Sequence, residues 1–122
     1  MAISRAKVVD QNFQETVQAQ VPATRRTDLD MPVRDGFKLT ARNAIRLFES
    51  MVSSRQLDLT SRELKVHGQS FYTIGSSGHE GNAAVAAASR VTDPAFLHYR
   101  SGAFFVERSK QIPMQSAVFD VL

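Results

Sequence analysis

Residues 41–67 contain neither Gly nor Pro, and within that stretch Ala41, Ala44, Ile45, Phe48, Met51 and Val52 recur at intervals of three and four. That spacing sets side chains on one face of a helix. Thr40 stands where an N-cap is needed, its hydroxyl free to accept an amide hydrogen of the first turn. Gly68 stands where a left-handed C-terminal residue is favoured. One helix of roughly 25 residues is expected, about twice the usual length. A helix of that length with a wide apolar stripe is expected to pack against several neighbours.

The chain that carries this helix has 122 residues, enough for one domain or a piece of a larger one. Hydrophobic residues make up 43%, with eight Phe, so a packed core is within reach and wholesale disorder is not expected. The absence of Cys removes disulfides, thiolate metal sites and Cys nucleophiles together. The longest apolar run, Ala83 to Ala88, is far short of the ~20 residues of a membrane span, and no secretory leader pattern opens the chain. A soluble intracellular protein is the expectation. Fifteen basic against twelve acidic residues leave only +3, spread along the chain without a basic stripe, so no nucleic-acid partner is expected.

Residues 1–38 have a different character. They hold four Gln between positions 11 and 20, Pro22, Pro32, six basic and five acidic residues, and few large apolar side chains. Such a segment buries too little surface to offset its ordering entropy, and an extended or disordered arm is expected. Within it, Met31 to Leu39 reads as an extended lead-in with a turn at Gly36.

Five of the six glycines fall between Gly68 and Gly102. Phe71 to Ile74 has strand-forming residues. Ser77-Gly78-His79-Glu80 fits a capping box, with Ser at the N-cap and Glu three residues on. Behind it an Ala-rich helix is expected from about Gly78 to Arg90, its small side chains admitting another backbone. Phe96-Leu97 is expected as a short strand, and Ser101 to Ser109 as a helix with Phe104 and Phe105 buried. Pro113 can open a last helix. That pattern runs through Ala117, Val118, Val121 and Leu122 with no closing polar turn, and reads as the opening of something longer. No internal repeat is present.

His67, His79 and His98 match no metal-ligand spacing, and Gly75-Ser76-Ser77-Gly78 is not a nucleophile elbow. Glu80 with His79 has two readings: acid–base work at a glycine-rich turn, or closure of the capping box. Leu97 to Gly102 also has two. The start of a helix offers free amide hydrogens and the positive end of a dipole, and Arg100 and Tyr99 add a planar donor fork and a hydroxyl, a set suited to phosphate oxygens. Alternatively Arg100 is an ordinary ion-pair partner of Asp93.

Phe71-Tyr72-Thr73-Ile74-Gly75-Ser76-Ser77-Gly78-His79-Glu80-Gly81, the Ala-rich helix, Asp93-Pro94 and His98-Tyr99-Arg100-Ser101-Gly102 together resemble the alpha-type portion of thiamine-diphosphate-dependent 2-oxo acid dehydrogenases. The branched-chain type is nearest, including forms with alpha and beta portions fused. The resemblance spans roughly Leu39 to Leu122. It implies an α/β thiamine-diphosphate-binding fold in the parent, with residues 39–122 as its opening part, mainly α with one or two short strands.

The activity implied is oxidative decarboxylation of a 2-oxo acid, branched-chain first, pyruvate or acetoin as alternatives, with the acyl group passed to a lipoyl arm. By the same resemblance Tyr99 and Arg100 hold the cofactor diphosphate and His98 lines that pocket. Phe71, Tyr72, His79 and Glu80 lie near substrate or the partner interface. No catalytic residue and no metal ligand is assigned within these residues. The Gly-Asp-Gly…Asn motif that holds magnesium and the remaining diphosphate contacts is not in the sequence, so neither thiamine diphosphate nor magnesium is expected to bind tightly. The implied partners are a beta-type chain or portion, a second copy of the chain and a lipoyl-bearing acyltransferase, in the cytoplasm or a mitochondrial matrix. The competing reading is a non-catalytic helical interaction module.

Overall fold

A computed structural model describes residues 4–21, 28–71 and 75–112. Among these residues four helices run in chain order: α1 (Arg5–Gln18), α2 (Ala41–Val66), α3 (Asn82–Ala88) and α4 (Gly102–Lys110). Helices α3 and α4 pack on each other and both lie against α2. The described residues are mainly helical and contain no strand, only an antiparallel bridge between Pro32 and Thr40.

Helix α2 has the expected limits and ends. Thr40 Oγ1 accepts the Asn43 amide hydrogen at 3.3 Å. At the far end Gly68 takes φ 72°, and the Gln69 amide donates back to Leu64 O at 2.8 Å. A side chain at Gly68 would strain that left-handed turn, which is why the helix stops there. The 31–39 lead-in is extended with a turn as well. Val33 N–H bonds Leu39 O at 2.9 Å, and Gly36 at φ 80° makes the reversal.

The face that α2 buries is not the expected one. Phe48 is 59% exposed and Ile45 also stands in solvent, while Ser50, Ser54 and Arg55 are buried. The physical reason is distance. Gly102 opens α4 so close to α2 that a Cβ there would come within 2.7 Å of Ser54 Oγ and 3.1 Å of Ser76 Oγ. Only small side chains admit that approach, and Ser50 and Ser54 supply them. Ala83, Ala86 and Ala103, all fully buried, do the same between α3 and α4. The Ala-rich segment thus closes against another backbone as its composition suggests.

Other expectations need correction. The arm is neither extended nor disordered over residues 5–18, which form α1. Its support is partly local, a Gln11 to Glu15 side-chain bond of 2.7 Å one turn apart. The rest is tertiary: Asp10 bonds both Arg55 and Arg62 of α2. Phe96-Leu97 is irregular rather than a strand. Phe104 is buried, but Phe105 points outward because successive helical residues face ~100° apart. Helix α3 begins four residues later than expected, at Asn82. The proposed strand at 71–74 and the last helix after Pro113 fall wholly or mostly outside the described residues.

A methyl group at Gly102 would separate α4 from α2 and displace a buried hydroxyl pair. Gly102→Ala is expected to lower unfolding free energy by about 1–3 kcal/mol, read from urea denaturation. Equal or greater stability would show that the two helices do not meet there.

Candidate functional site

The segment after α3 turns back so that the loop ahead of α4 lies beside the loop ahead of α3. This brings His79, His98, Tyr99 and Arg100 to one corner. The His79 and His98 rings meet edge-to-face at 5.5 Å between centroids, and His98 and Tyr99 at 5.7 Å. The Arg100 guanidinium carbon lies 5.2 Å from the Tyr99 ring centre, within reach of a cation–π contact. Its Nη1 donates to Gly75 O at 3.0 Å, tying the two loops together.

Backbone bonds set the corner. Ser101 N–H bonds His98 O at 2.9 Å, and the Ser101 hydroxyl accepts the His98 amide at 3.3 Å. The hydroxyl therefore does not cap α4, whose N-terminus has no side-chain cap. His98 Nδ1 accepts the Arg100 amide at 3.0 Å, so a neutral ring carries its proton on Nε2.

The ion-pair reading of Arg100 fails. Asp93 is taken by Arg90, with Nε to Oδ1 at 2.9 Å and the backbone amide to Oδ2 at 2.9 Å. No carboxylate among the described residues pairs with Arg100. The Tyr99 side is 59% exposed. The corner presents one held cation that no described carboxylate neutralises, a phenol and two imidazoles.

The capping box does not form. Glu80 Oε2 accepts the Gly78 amide at 2.8 Å, and Gly81 rather than Ser77 precedes α3. Gly78 at φ 86° turns the chain inside the presumed box, which moves Ser77 out of register with the helix. Glu80 thus braces a turn, and no His79–Glu80 bond is present among the described residues. Phe71 is 96% exposed. Tyr72 lies outside the described residues. No group of three His, Asp or Glu able to hold a metal ion occurs among the described residues.

Beneath the corner runs a polar seam that the sequence reading did not anticipate. Asp58 Oδ2 accepts both the Ser76 amide at 2.7 Å and the Ser76 hydroxyl at 3.1 Å. With that hydrogen committed, Ser54 must donate to Ser76, 2.9 Å away. Arg55 lies 3.7 Å from Asp58 and bonds Asp10. Further along, buried Glu107 accepts from Ser50 at 2.6 Å and meets Arg46 at 3.0 Å. Ser50, Ser54, Arg55, Asp58 and Arg62 recur at three and four on α2. That spacing is written in the sequence, but it is polar, and a search for apolar periodicity passes over it.

No protein family, curated protein or solved structure matches the chain.

Burial raises the Asp58 pKa above the ordinary carboxylate value of 3.8, outweighing the Ser76 hydrogen bonds and the nearby Arg55 and Arg62 charges that lower it. A carboxyl raised in the folded state favours folding below its unfolded pKa, and that contribution is lost as pH rises through the folded value. Asp58→Asn is therefore expected to gain in stability relative to the parent as pH increases through that window. Urea midpoints of both proteins from pH 3.5 upward test this. A difference that is flat or moves the other way would contradict it.

Proposed function

We propose that the chain is the opening part of the alpha-type portion of a thiamine-diphosphate-dependent 2-oxo acid dehydrogenase, nearest the branched-chain type, with Tyr99 and Arg100 holding the cofactor diphosphate. The observation that carries this reading is Arg100. It is fixed by Gly75 O, lacks a carboxylate partner among the described residues, and stands with Tyr99 ahead of an uncapped helix. A guanidinium, a phenol and free helical amides form a donor set that suits phosphate oxygens and has little use for a neutral ligand. The order and spacing of the motifs from Phe71 to Gly102 support the same reading.

Thiamine diphosphate, when bound, supplies the carbanion chemistry by which a 2-oxo acid loses carbon dioxide. The chain's own part is positional. Arg100 offers Nε and Nη2 to the diphosphate while Nη1 stays on Gly75 O. Tyr99 gives a hydroxyl. His98, held by the Arg100 amide, stands beside them against His79, and Glu80 keeps the 76–81 turn in place. Magnesium has no ligand set among the described residues, and the sequence has no Gly-Asp-Gly…Asn motif to hold it.

In this reading the exposed stripe of α2 around Ile45 and Phe48 faces a beta-type portion or a second copy of the chain, and the parent hands its acyl group to a lipoyl-bearing acyltransferase. Pyruvate or acetoin would fit the same cofactor grip. No helix among the described residues is long and apolar enough to cross a membrane. A cytoplasmic or mitochondrial-matrix enzyme is part of the proposal.

Exposure of that stripe also favours a second reading, a helical interaction module in which Tyr99 and Arg100 serve structure alone. The coding sequence downstream of Leu122 separates the two: a Gly-Asp-Gly…Asn stretch supports the enzyme, and a stop codon supports the module.

In a complete enzyme, Arg100→Ala is expected to weaken thiamine diphosphate binding by about 2–3 kcal/mol through loss of charge-assisted bonds. An affinity within twofold of the parent would remove Arg100 from the diphosphate site. Calorimetric titration of the 122-residue chain with thiamine diphosphate and magnesium is expected to show no micromolar binding, because the grip is one-sided. A micromolar constant would overturn that expectation.

A further inference from the structure

Like Arg100, Arg108 is held by backbone carbonyls and pairs with no carboxylate among the described residues. Its Nη1 donates to two backbone carbonyls just after α3, Arg90 O and Val91 O, both at 2.7 Å. Its guanidinium carbon lies 4.9 Å from the Phe104 ring centre. The opposite edge, Nε and Nη2, is shut from water and has no hydrogen-bond partner among the described residues. Orphaned buried donors of this kind are uncommon in folded proteins. Among the described residues, the acids nearest in sequence are engaged elsewhere: Glu107 by Ser50 and Arg46, Asp93 by Arg90.

Arg108 lines a cavity of about 370 Å³ between α3, the 94–98 segment and α4. That volume lies in the ~300–1,000 Å³ range of small-molecule sites. The other walls include Val85, Phe96, Leu97 and Phe104, with Ser89 and Asn82 as polar points. Val85 and Phe96 are exposed, an apolar wall that a ligand would cover.

We propose that this cavity binds a small carboxylate with a short apolar tail, the carboxylate taken by the Nε–Nη2 edge of Arg108. Two parallel N–H donors match the two oxygens of a carboxylate in one plane. One guanidinium beside Val85, Leu97 and Phe104, with Asn82, Ser89, His98 and Ser101 as the polar points, suits a monoanion. Phosphate brings more negative charge than one guanidinium offsets. Entry requires the guanidinium to turn its free edge toward the cavity, a side-chain rotation about a long stem with one Nη1 carbonyl bond retained. The site shares His98 and Ser101 with the diphosphate corner but uses a different cation, so it stands or falls independently of the cofactor reading.

The test follows the arginine Nε–H resonances of the 122-residue chain by ¹H–¹⁵N NMR during titration with isovalerate, its neutral analogue isovaleramide, and inorganic phosphate. The Arg108 resonance is expected to shift saturably with isovalerate and not with the other two. Arg108→Lys keeps the charge but loses the planar edge, and is expected to weaken isovalerate binding at least about tenfold. The Arg100 resonance reports the diphosphate corner separately. The proposal is overturned if Arg108 shows no saturable shift up to tens of millimolar isovalerate, or if isovaleramide or phosphate shifts it equally. It is also overturned if the resonance shifts with protein concentration alone, which assigns the edge to a carboxylate of a second copy. These readings on the parent chain decide the matter even if the lysine variant fails to fold.

Discussion

The described structure depends on a polar contact between helices, the hydroxyl-lined approach of α4 to α2. Ser54 and Ser76 sit beneath Gly102, and Glu107 reaches across to Ser50. Polar groups out of water must find partners or cost more than they return. Here the hydroxyls and carboxylates satisfy one another in sequence, from Ser54 to Ser76 to Asp58. Among the described residues the buried apolar side chains are Ala83, Ala86, Ala103, Phe104 and Val106, mostly small ones. Specific geometry therefore has to come from hydrogen bonds, and those bonds fix the loop that carries Gly75.

That loop is the link between scaffold and candidate site. Asp58 holds Ser76, Gly75 O next to it takes Arg100, and Arg100 N–H holds His98. A disturbance on α2 would thus be felt at the corner through a short series of bonds, without any change in the site residues themselves. The close packing at Gly75, where a Cβ would lie 3.1 Å from both Arg62 and Asp58, leaves that path little slack.

Helix α1 shows a different kind of dependence. Its apolar residues Val9 and Phe13 face α2 across a cavity of about 220 Å³ lined also by Phe48, Met51 and Val52. Asp10 is its clearest attachment, bonded to two arginines that the α2 face would otherwise leave short of negative charge. Composition could not reveal this, because the stabilising partner lies some 45 positions away in the chain.

Local rules were enough for the limits of α2, for the turn at Gly36 and for the closeness of the Ala-rich helix to its neighbour, since caps, positive φ and side-chain size act within a few residues. They also singled out Tyr99 and Arg100, because helix starts and donor chemistry are written in short motifs, and His79 at its glycine-rich turn; His98 came only with the family resemblance. Which face of α2 is buried was beyond them. An apolar stripe states that a face wants covering, but the nearest approach of α4 required side chains as small as serine, and that condition appears only when two helices meet. The fate of Arg100 was open for the same reason: Asp93 was near enough in sequence to claim it, and only the folded chain, by giving Asp93 to Arg90, left that cation without a carboxylate among the described residues.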